Sequence, residues 1–365
     1  MAETRLYKYE PDYVVRPGEV LEENLETRGI KKVDLAQRCG LSTKTISQIL
    51  NGSAPVSPET ALCFQRVLGV SANVWNNLEA NYRLFLARQK VREDLVQWDD
   101  WTKRFPTKEL AERGLIDPKS VIVETTEQLL DFFGVGSVQA WDAKYGVLQV
   151  AFRCSPSFKS SRESVSAWLR IGEICADKVN CTSYSKTKLM TSLSKIRGLT
   201  AEDPSVFEPI MRRLCAEAGV ALVFVSELPG THLSGATRWM SKDKALIMLS
   251  LRRKRDDHFW FSFFHEAGHI LFGGKKNIFL DEMNSWTDPE EELANDFASY
   301  TLIPRDRYRE FLERGEYTIT SVRRFAEKQG IAPGIVVGRL QHEGIIPWNA
   351  LNGLTRKFEL VEACN

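Results

Sequence analysis

The pentad His265-Glu266-Ala267-Gly268-His269 carries two imidazoles four residues apart, with a carboxylate directly after the first. On a helix, positions i and i+4 share a face, so His265 and His269 can present two nitrogens to one Zn2+ at about 2.0–2.1 Å. Glu266 lies beside them and can take a proton from water whose pKa the metal brings toward about 7. Only five histidines occur in the 365 residues, which makes this spacing a specific signal. The bland alternative is a core helix with incidental histidines.

Such a site needs a rigid, largely buried helix. Asp256 or Asp257 can cap it, Phe259, Phe263, Ile270 and Leu271 supply core contacts, and Gly273-Gly274 ends it. Gly268 inside a helix costs about 1 kcal/mol relative to alanine, which implies that something approaches the backbone closely at that point. A third ligand is expected from a neighbouring helix, and TDPEEELANDFASYTLIP at 287–304 begins one, with Asp288 as N-cap and Pro289 at the first helical position. At about 100° per residue, Ala294, Phe297, Ala298 and Thr301 fall on its inward face. Glu291 flanks that face, Glu290 is close to it, and Glu292 points to solvent. Glu291 also has an ordinary reading as a capping-box residue reaching back to Asp288. The segments at 219–226, 235–240 and 245–250 read as short strands, and a sheet edge beside the active helix would bind an extended peptide by main-chain hydrogen bonds. His232, Arg238 and Tyr300 are candidate transition-state stabilisers, though a lone residue of each type more often serves structure.

These segments together resemble the ImmA/IrrE metallopeptidase family, a gluzincin-like group. The resemblance is carried by FWFSFFHEAGHILF, EEELANDFASYTLIP, the upstream LSGATRW at 233–239 and the downstream GIAPGIVVGRLQ at 330–341, and it spans roughly 163–346. It implies zinc as cofactor, Glu266 as catalytic base and the ligand set His265, His269 and Glu291, since the family's ligand glutamate stands four residues before the Asn or Asp that here is Asn295. Leu293 occupies a position where many members carry another acid.

The N-terminal part reads as a run of helices. Pro17 and Gly18 open the first, which closes at Gly29; KKVDLAQRCG forms a second with Val33, Leu35 and Ala36 available to the core; and LSTKTISQILNG forms a third, capped by Ser42, with Ile46, Ile49 and Leu50 as its apolar stripe. Ala36, Gly40 and Ile46 have helix-turn-helix spacing. In that geometry Ser42, Thr43, Lys44, Thr45, Ser47 and Gln48 face the major groove, where Gln48 suits adenine and Lys44 suits guanine or phosphate. A plain helical bundle with a solvated polar face is the alternative. Residues 17–88 resemble the Cro/repressor-type domain of HigA-type plasmid-maintenance antidote proteins, which implies a homodimer on a pseudo-palindromic operator.

Composition bounds the rest. A net charge of +1, 43% hydrophobic and 27% charged residues describe a globular protein, not a nucleic-acid coat. Residues 1–90 hold 12 Lys/Arg against 10 Asp/Glu, so even that part is only mildly basic. Seven scattered cysteines with no CxxC argue against a disulfide framework and fit a reducing cytoplasm. FWFSFF at 259–264 is far too short to span a membrane. The expected organisation is a helix-turn-helix domain at 1–90, an aromatic-rich helical connecting region at 91–162, a zinc peptidase domain at 163–346 and a tail at 347–365. The fold class is mainly α with a small β-sheet (α+β). The expected function is a DNA-binding regulator or antitoxin joined to a zinc-dependent endopeptidase, with operator DNA and a toxin or repressor protein as partners. The alternative is a non-catalytic antitoxin in which the metal domain is a sensor or scaffold. Residues 318–342 also approximate helix-turn-helix spacing (Ala326, Gly330, Val336), but the run Ile335-Val336-Val337 reads as packing, so a helical hairpin of the peptidase domain is expected there.

Overall fold

The computed structural model describes residues 13–117, 121–154, 160–274, 278–280 and 289–359. The chain divides into two compact units, Met1–Asp99 and Asp100–Asn365.

Unit 1 is all helical: α1 (Pro17–Arg28), α2 (Lys32–Cys39), α3 (Thr43–Leu50), α4 (Pro58–Leu68) and α5 (Ala72–Leu95). Ser42, Ser57 and Ser71 cap α3, α4 and α5 by accepting a backbone N–H. Gly40 takes the left-handed turn between α2 and α3 (φ 65°). Leu35, Ala36, Ile46 and Ile49 close the core with Leu21, Leu25, Phe64 and Trp75. Val33 departs from the expectation and is 64% exposed, because the α2 stripe that faces the core runs through Leu35 and Ala36. The 24-residue α5 is longer than the helix punctuation of the sequence indicates.

Unit 2 opens with four helices, α6 (Asp99–Thr102), α7 (Thr107–Glu112), α8 (Ile122–Phe133) and α9 (Val138–Cys154). The recurring aromatics of this stretch pack on each other. Trp101 meets Trp141 at 5.5 Å, Phe105 meets Trp141 at 5.2 Å and Phe133 meets Tyr145 at 5.4 Å between ring centroids. This cluster is tied to the rest of the unit by Arg113 donating to Ser226 Oγ (3.1 Å) and Arg170 Nε donating to the Phe132 carbonyl (2.7 Å).

Then come α10 (Arg162–Asp177), α11 (Lys186–Arg197), α12 (Pro204–Glu217) and strands β1 (Val220–Phe224), β2 (Gly235–Ser241) and β3 (Lys244–Leu249). They are followed by α13 (Asp256–Phe272), β4 (Ile278–Leu280), α14 (Pro289–Leu302), α15 (Arg305–Glu313), α16 (Ile319–Gln329) and α17 (Pro333–His342). The sheet order is β1-β3-β2-β4, with β1 parallel to β3 and the other pairs antiparallel. Every residue of β1 is buried, as in a strand covered on both faces. The fourth strand adds to the three read from sequence. It pairs with β2 and so covers the side of β2 that would otherwise be an edge. The fold is mainly α with a small sheet, as expected.

α17 buries Ile335, Val336 and Val337 against this core, so 318–342 is a hairpin of unit 2. The N-cap of α13 is Arg255, not Asp256 or Asp257. Asp256 is the first helical residue, its Oδ1 accepting from the Asp257 and Arg356 N–H groups at 3.0 Å. Asp288 lies outside the described residues. Cys39, Cys63, Cys181 and Cys215 are free, and Cys175 is disulfide-bonded. Pairing requires only that two Cβ atoms meet in space, which spacing along the chain does not reveal.

Helices α13 and α14 cross at Gly268. A Cβ there would stand 3.0 Å from Ala294 Cα, and Ala294 and Ala298 are themselves buried. Gly268→Val is therefore expected to destabilise unit 2 by about 1–3 kcal/mol through overpacking, while Gly268→Ala stays closer to neutral because its helix propensity, about 1 kcal/mol better than glycine, offsets the milder overlap. Denaturant unfolding of the two variants checks this. Equal stabilities would remove the close crossing as a constraint.

Candidate metal centre

Helix α13 places His265 and His269 one turn apart, and both are 1% exposed. Their Nε2 atoms lie 3.0 Å apart. The α13–α14 crossing brings Glu291 across, with Oε2 at 3.3 Å from His265 Nε2 and Oε1 at 3.3 Å from His269 Nε2. One ligand atom from each of the three residues falls within 4.8 Å of the others. Two imidazole nitrogens and a carboxylate, converging in a buried space, are electrostatically satisfied by a positive charge between them. The donor set fits a tetrahedral zinc site with one position left open.

One supporting contact orients the ligands. Asn295, one turn after Glu291, accepts through Oδ1 from His265 Nδ1 at 2.9 Å, which directs the Nε2 lone pair toward the cluster. Burial pushes the Glu291 carboxyl up, but hydrogen bonds and charge from His265 and His269 outweigh it and hold the group at about 2. Glu290 is half-buried and Glu292 is exposed.

Glu266 is fully buried. Thr237 Oγ1, on β2, donates to Glu266 Oε2 and lies 3.1 Å from the Glu266 carbonyl oxygen. Gly235 makes room for the same carboxylate, since a Cβ there would stand 2.5 Å from Oε1. Sequence reasoning missed Thr237, Gly235 and the role of Asn295. The helical spacing of Asn295 from Glu291 was a usable signal, whereas Thr237 and Gly235 depend on how β2 docks on α13.

Each of the three candidate stabilisers has contacts of its own. Arg238 follows Thr237 on β2 and so points to the opposite face of the sheet, where it pairs with the buried Glu173. Tyr300 stands more than two turns beyond Glu291 on α14, its ring covered by Arg305 (4.9 Å) and Arg339 (5.5 Å). His232 sits ahead of β2 with a left-handed backbone (φ 51°), its carbonyl accepting from Arg252. Among the described residues, no hydrogen bond or ion pair joins any of them to the His265–His269–Glu291 cluster. On unit 1, Ser42, Thr43, Lys44 and Ser47 are exposed along α3, and Thr45 and Gln48 are half-buried. The Ser42 hydroxyl caps the helix, accepting from Thr45 N–H at 3.0 Å, and is hydrogen-bonded to the Thr45 hydroxyl at 2.8 Å.

Comparison with known proteins matches both units. Residues 21–75 match the helix-turn-helix family, and residues 218–341 match the peptidase M78 family, described as the IrrE N-terminal-like domain. The HTH-type transcriptional regulator YddM of Escherichia coli K12 is 30% identical over 76 residues, which are 21% of this chain and 81% of that protein. Virulence-associated protein I of Dichelobacter nodosus is 33% identical over 76 residues, 20% of this chain and 70% of that protein. Two solved structures are similar over 23% of this chain. One is described as an antidote protein of a plasmid maintenance system from Nostoc punctiforme PCC 73102 (28% identity, 92% of that chain, TM-score 0.23), the other as an addiction module antidote protein of a HigA family from Coxiella burnetii (27% identity, 91% of that chain, TM-score 0.21).

The depressed Glu291 carboxyl has a consequence in the metal-free protein. A group whose folded pKa lies below its unfolded value stabilises the fold above the unfolded pKa and loses that contribution as pH falls through the folded one. The contribution is therefore full above about 4.5 and vanishes toward about 2. Glu291→Gln in chelator-treated protein is expected to be less stable than wild type at pH 6 and equal to it near pH 2. A difference that does not shrink on acidification would rule out this electrostatic account.

Proposed function

The chain belongs to the helix-turn-helix transcriptional regulators and carries an IrrE N-terminal-like domain behind that module, and from this we propose that it is an operator-binding regulator joined to a zinc-dependent endopeptidase acting on a toxin or repressor protein. The observation that carries the enzymatic part is Glu266. A buried carboxylate held by Thr237 directly beside a His2Glu cluster has no purpose in a purely structural metal site. Zinc supplies Lewis acidity to water and to a peptide carbonyl.

The chain's own residues supply the rest. His265, His269 and Glu291 would hold the ion, and Asn295 fixes the His265 tautomer. Thr237 keeps the Glu266 carboxylate in one orientation, from which it would accept a proton from the attacking water and return it to the leaving amine nitrogen. An extended substrate would add to β4, an outer strand of the sheet. On unit 1, Lys44, Thr43, Ser47 and Gln48 would meet the major groove, in a homodimer spanning two half-sites.

Purified protein is expected to hold one zinc per chain, measured by atomic absorption. His265→Ala or His269→Ala should abolish it, and Glu291→Ala should weaken it more than Glu290→Ala or Glu292→Ala. Glu266→Gln keeps shape and ligands but cannot accept the proton, so partner cleavage should fall about 10²–10⁴-fold with zinc and operator binding retained. Unchanged partner turnover in cells carrying that variant would leave the domain as a metal-stabilised sensor or scaffold.

For DNA, Lys44→Ala is expected to weaken operator and random DNA alike and to lower the slope of log K against log salt by about 1. Gln48→Ala should cost about 1–3 kcal/mol of discrimination between them. Fluorescence anisotropy over a salt series distinguishes the two effects. A Gln48 variant with full discrimination would move base readout to other residues.

A further inference from the structure

Lys144 on α9, Arg170 and Glu173 on α10, and Arg238 on β2 meet in one charged cluster. The Glu173 side chain is 5% exposed. One of its oxygens accepts from Arg238; the other accepts from Arg170 Nη1 at 2.9 Å and lies 4.0 Å from Lys144 Nζ. Three cations therefore share one carboxylate, a local excess of two positive charges. Among the described residues no other acid forms an ion pair with any of the three. Burial, then the charges of Arg170 and Arg238, hold the Lys144 ammonium below its ordinary value. Charge that is only partly compensated is costly in such a half-buried setting.

Tyr145, the residue after Lys144, points independently to a missing group. It is 1% exposed, and its hydroxyl has no hydrogen-bond partner among the described residues. Lys144 Nζ stands 5.2 Å from the centroid of its ring. Burial pushes the phenol up to about 12, against the opposing pull of Arg238 and Arg170, so near pH 7 it is a proton donor. Arg238 has no acceptor other than Glu173 among the described residues, which leaves its Nε and Nη2 hydrogens for a ligand. Lys144 makes a single hydrogen bond, a 3.4 Å contact to the Phe133 carbonyl, so its ammonium is free to turn. Apart from Glu173, every side chain of the cluster offers donors. What it lacks is a negatively charged acceptor.

The side chains of Lys144, Arg170 and Arg238 are 32%, 23% and 27% exposed, so solvent reaches the cluster, while the phenol lies beneath the ammonium. A phosphate monoester carries about −1.5 to −2 charge at pH 7 and several acceptor oxygens, which matches an excess of two. Guanidinium forks suit its tetrahedral oxygens. A monocarboxylate brings half the charge and two oxygens in one plane. We propose that Lys144, Tyr145, Arg170 and Arg238 form a binding site for a phosphate group, free or carried as a monoester on a small molecule. The site uses none of the residues assigned to the metal centre and does not rest on the peptidase reading.

The test is isothermal titration calorimetry of the full-length protein with inorganic phosphate and with glycerol 3-phosphate at constant ionic strength, with acetate as the monoanion control. Saturable binding of one phosphate group per chain is expected, with acetate at least tenfold weaker. Equal affinity for the two phosphates assigns the site to the free anion, and tighter binding of glycerol 3-phosphate assigns it to a monoester. Lys144→Gln should weaken binding about tenfold, the loss of one charge-assisted hydrogen bond. Tyr145→Phe keeps the ring packed on Phe133 and Trp141 at 5.4 and 5.7 Å and should weaken it severalfold. Should Lys144→Gln fail to fold by circular dichroism, Tyr145→Phe decides alone. No saturable binding overturns the site, and acetate binding as tightly as phosphate overturns its selectivity. Binding that both substitutions leave unchanged belongs to the metal centre or to the helix-turn-helix unit, and it too overturns the proposal.

Discussion

The centre depends on how closely α13 and α14 can approach. Two histidines on one helix define only half a metal site, and the third ligand must cross from a helix whose backbone is held near the first. Gly268 and Ala294 permit this, since neither carries a side chain larger than a methyl group at the point of crossing. A helix interior glycine is a local cost of about 1 kcal/mol, accepted here because bulk at that position would move Glu291 away from both imidazoles. Burial of Ala298 one turn further on continues the same contact, so the crossing is held along its length. The local defect in propensity and the metal geometry are thus one feature.

The sheet provides the second constraint. β2 alternates its side chains between two faces, and the consequences for adjacent residues are opposite. Thr237 faces α13 and fixes Glu266, while Arg238 faces α10 and meets Glu173. That alternation explains why Thr237 and Arg238, adjacent in sequence, meet different carboxylates. The side of the sheet Arg238 faces is the one against which α10 packs, and Arg170 on that helix shares Glu173 at 2.9 Å. The aromatic cluster of α6 to α9 is linked to α10 in turn through the Phe132 carbonyl. A stretch that reads as a connector in sequence therefore folds with unit 2, and its aromatics serve a packed core.

What could be read from the residues follows from the range of the interactions involved. The helix-turn-helix elements and α13 rest on contacts three to four residues apart, caps and single-residue turns, so Ser42, Gly40 and the His265–His269 pair are visible locally. Helical geometry leaves Glu290 and Glu291 as neighbours of the inward face, and only the family resemblance selects Glu291; the crossing of α14 places one of its oxygens 3.3 Å from each imidazole. Thr237 and Gly235 were not visible, because their proximity to Glu266 comes from strand order and register over about thirty residues. Val33 failed for a simpler reason. A hydrophobic residue at helical spacing can sit just outside a short helix's buried arc, and α2 has only eight residues.

Glu266 itself presents an energetic problem whose solution defines what the site can do. An ionised carboxylate without compensation is strongly disfavoured in a buried setting. Here a hydroxyl donates to one oxygen, and the other packs against a glycine that leaves no room for a competing side chain. A cation bound by His265, His269 and Glu291 next to it would add to that compensation. Metal binding and the ionisation of the base are then coupled through space. Neutralising Glu266 would alter the field at the ligands. In the proposed reading, the side chain that would transfer the proton is also part of the electrostatic balance that would hold the ion, so base strength and metal affinity would change together.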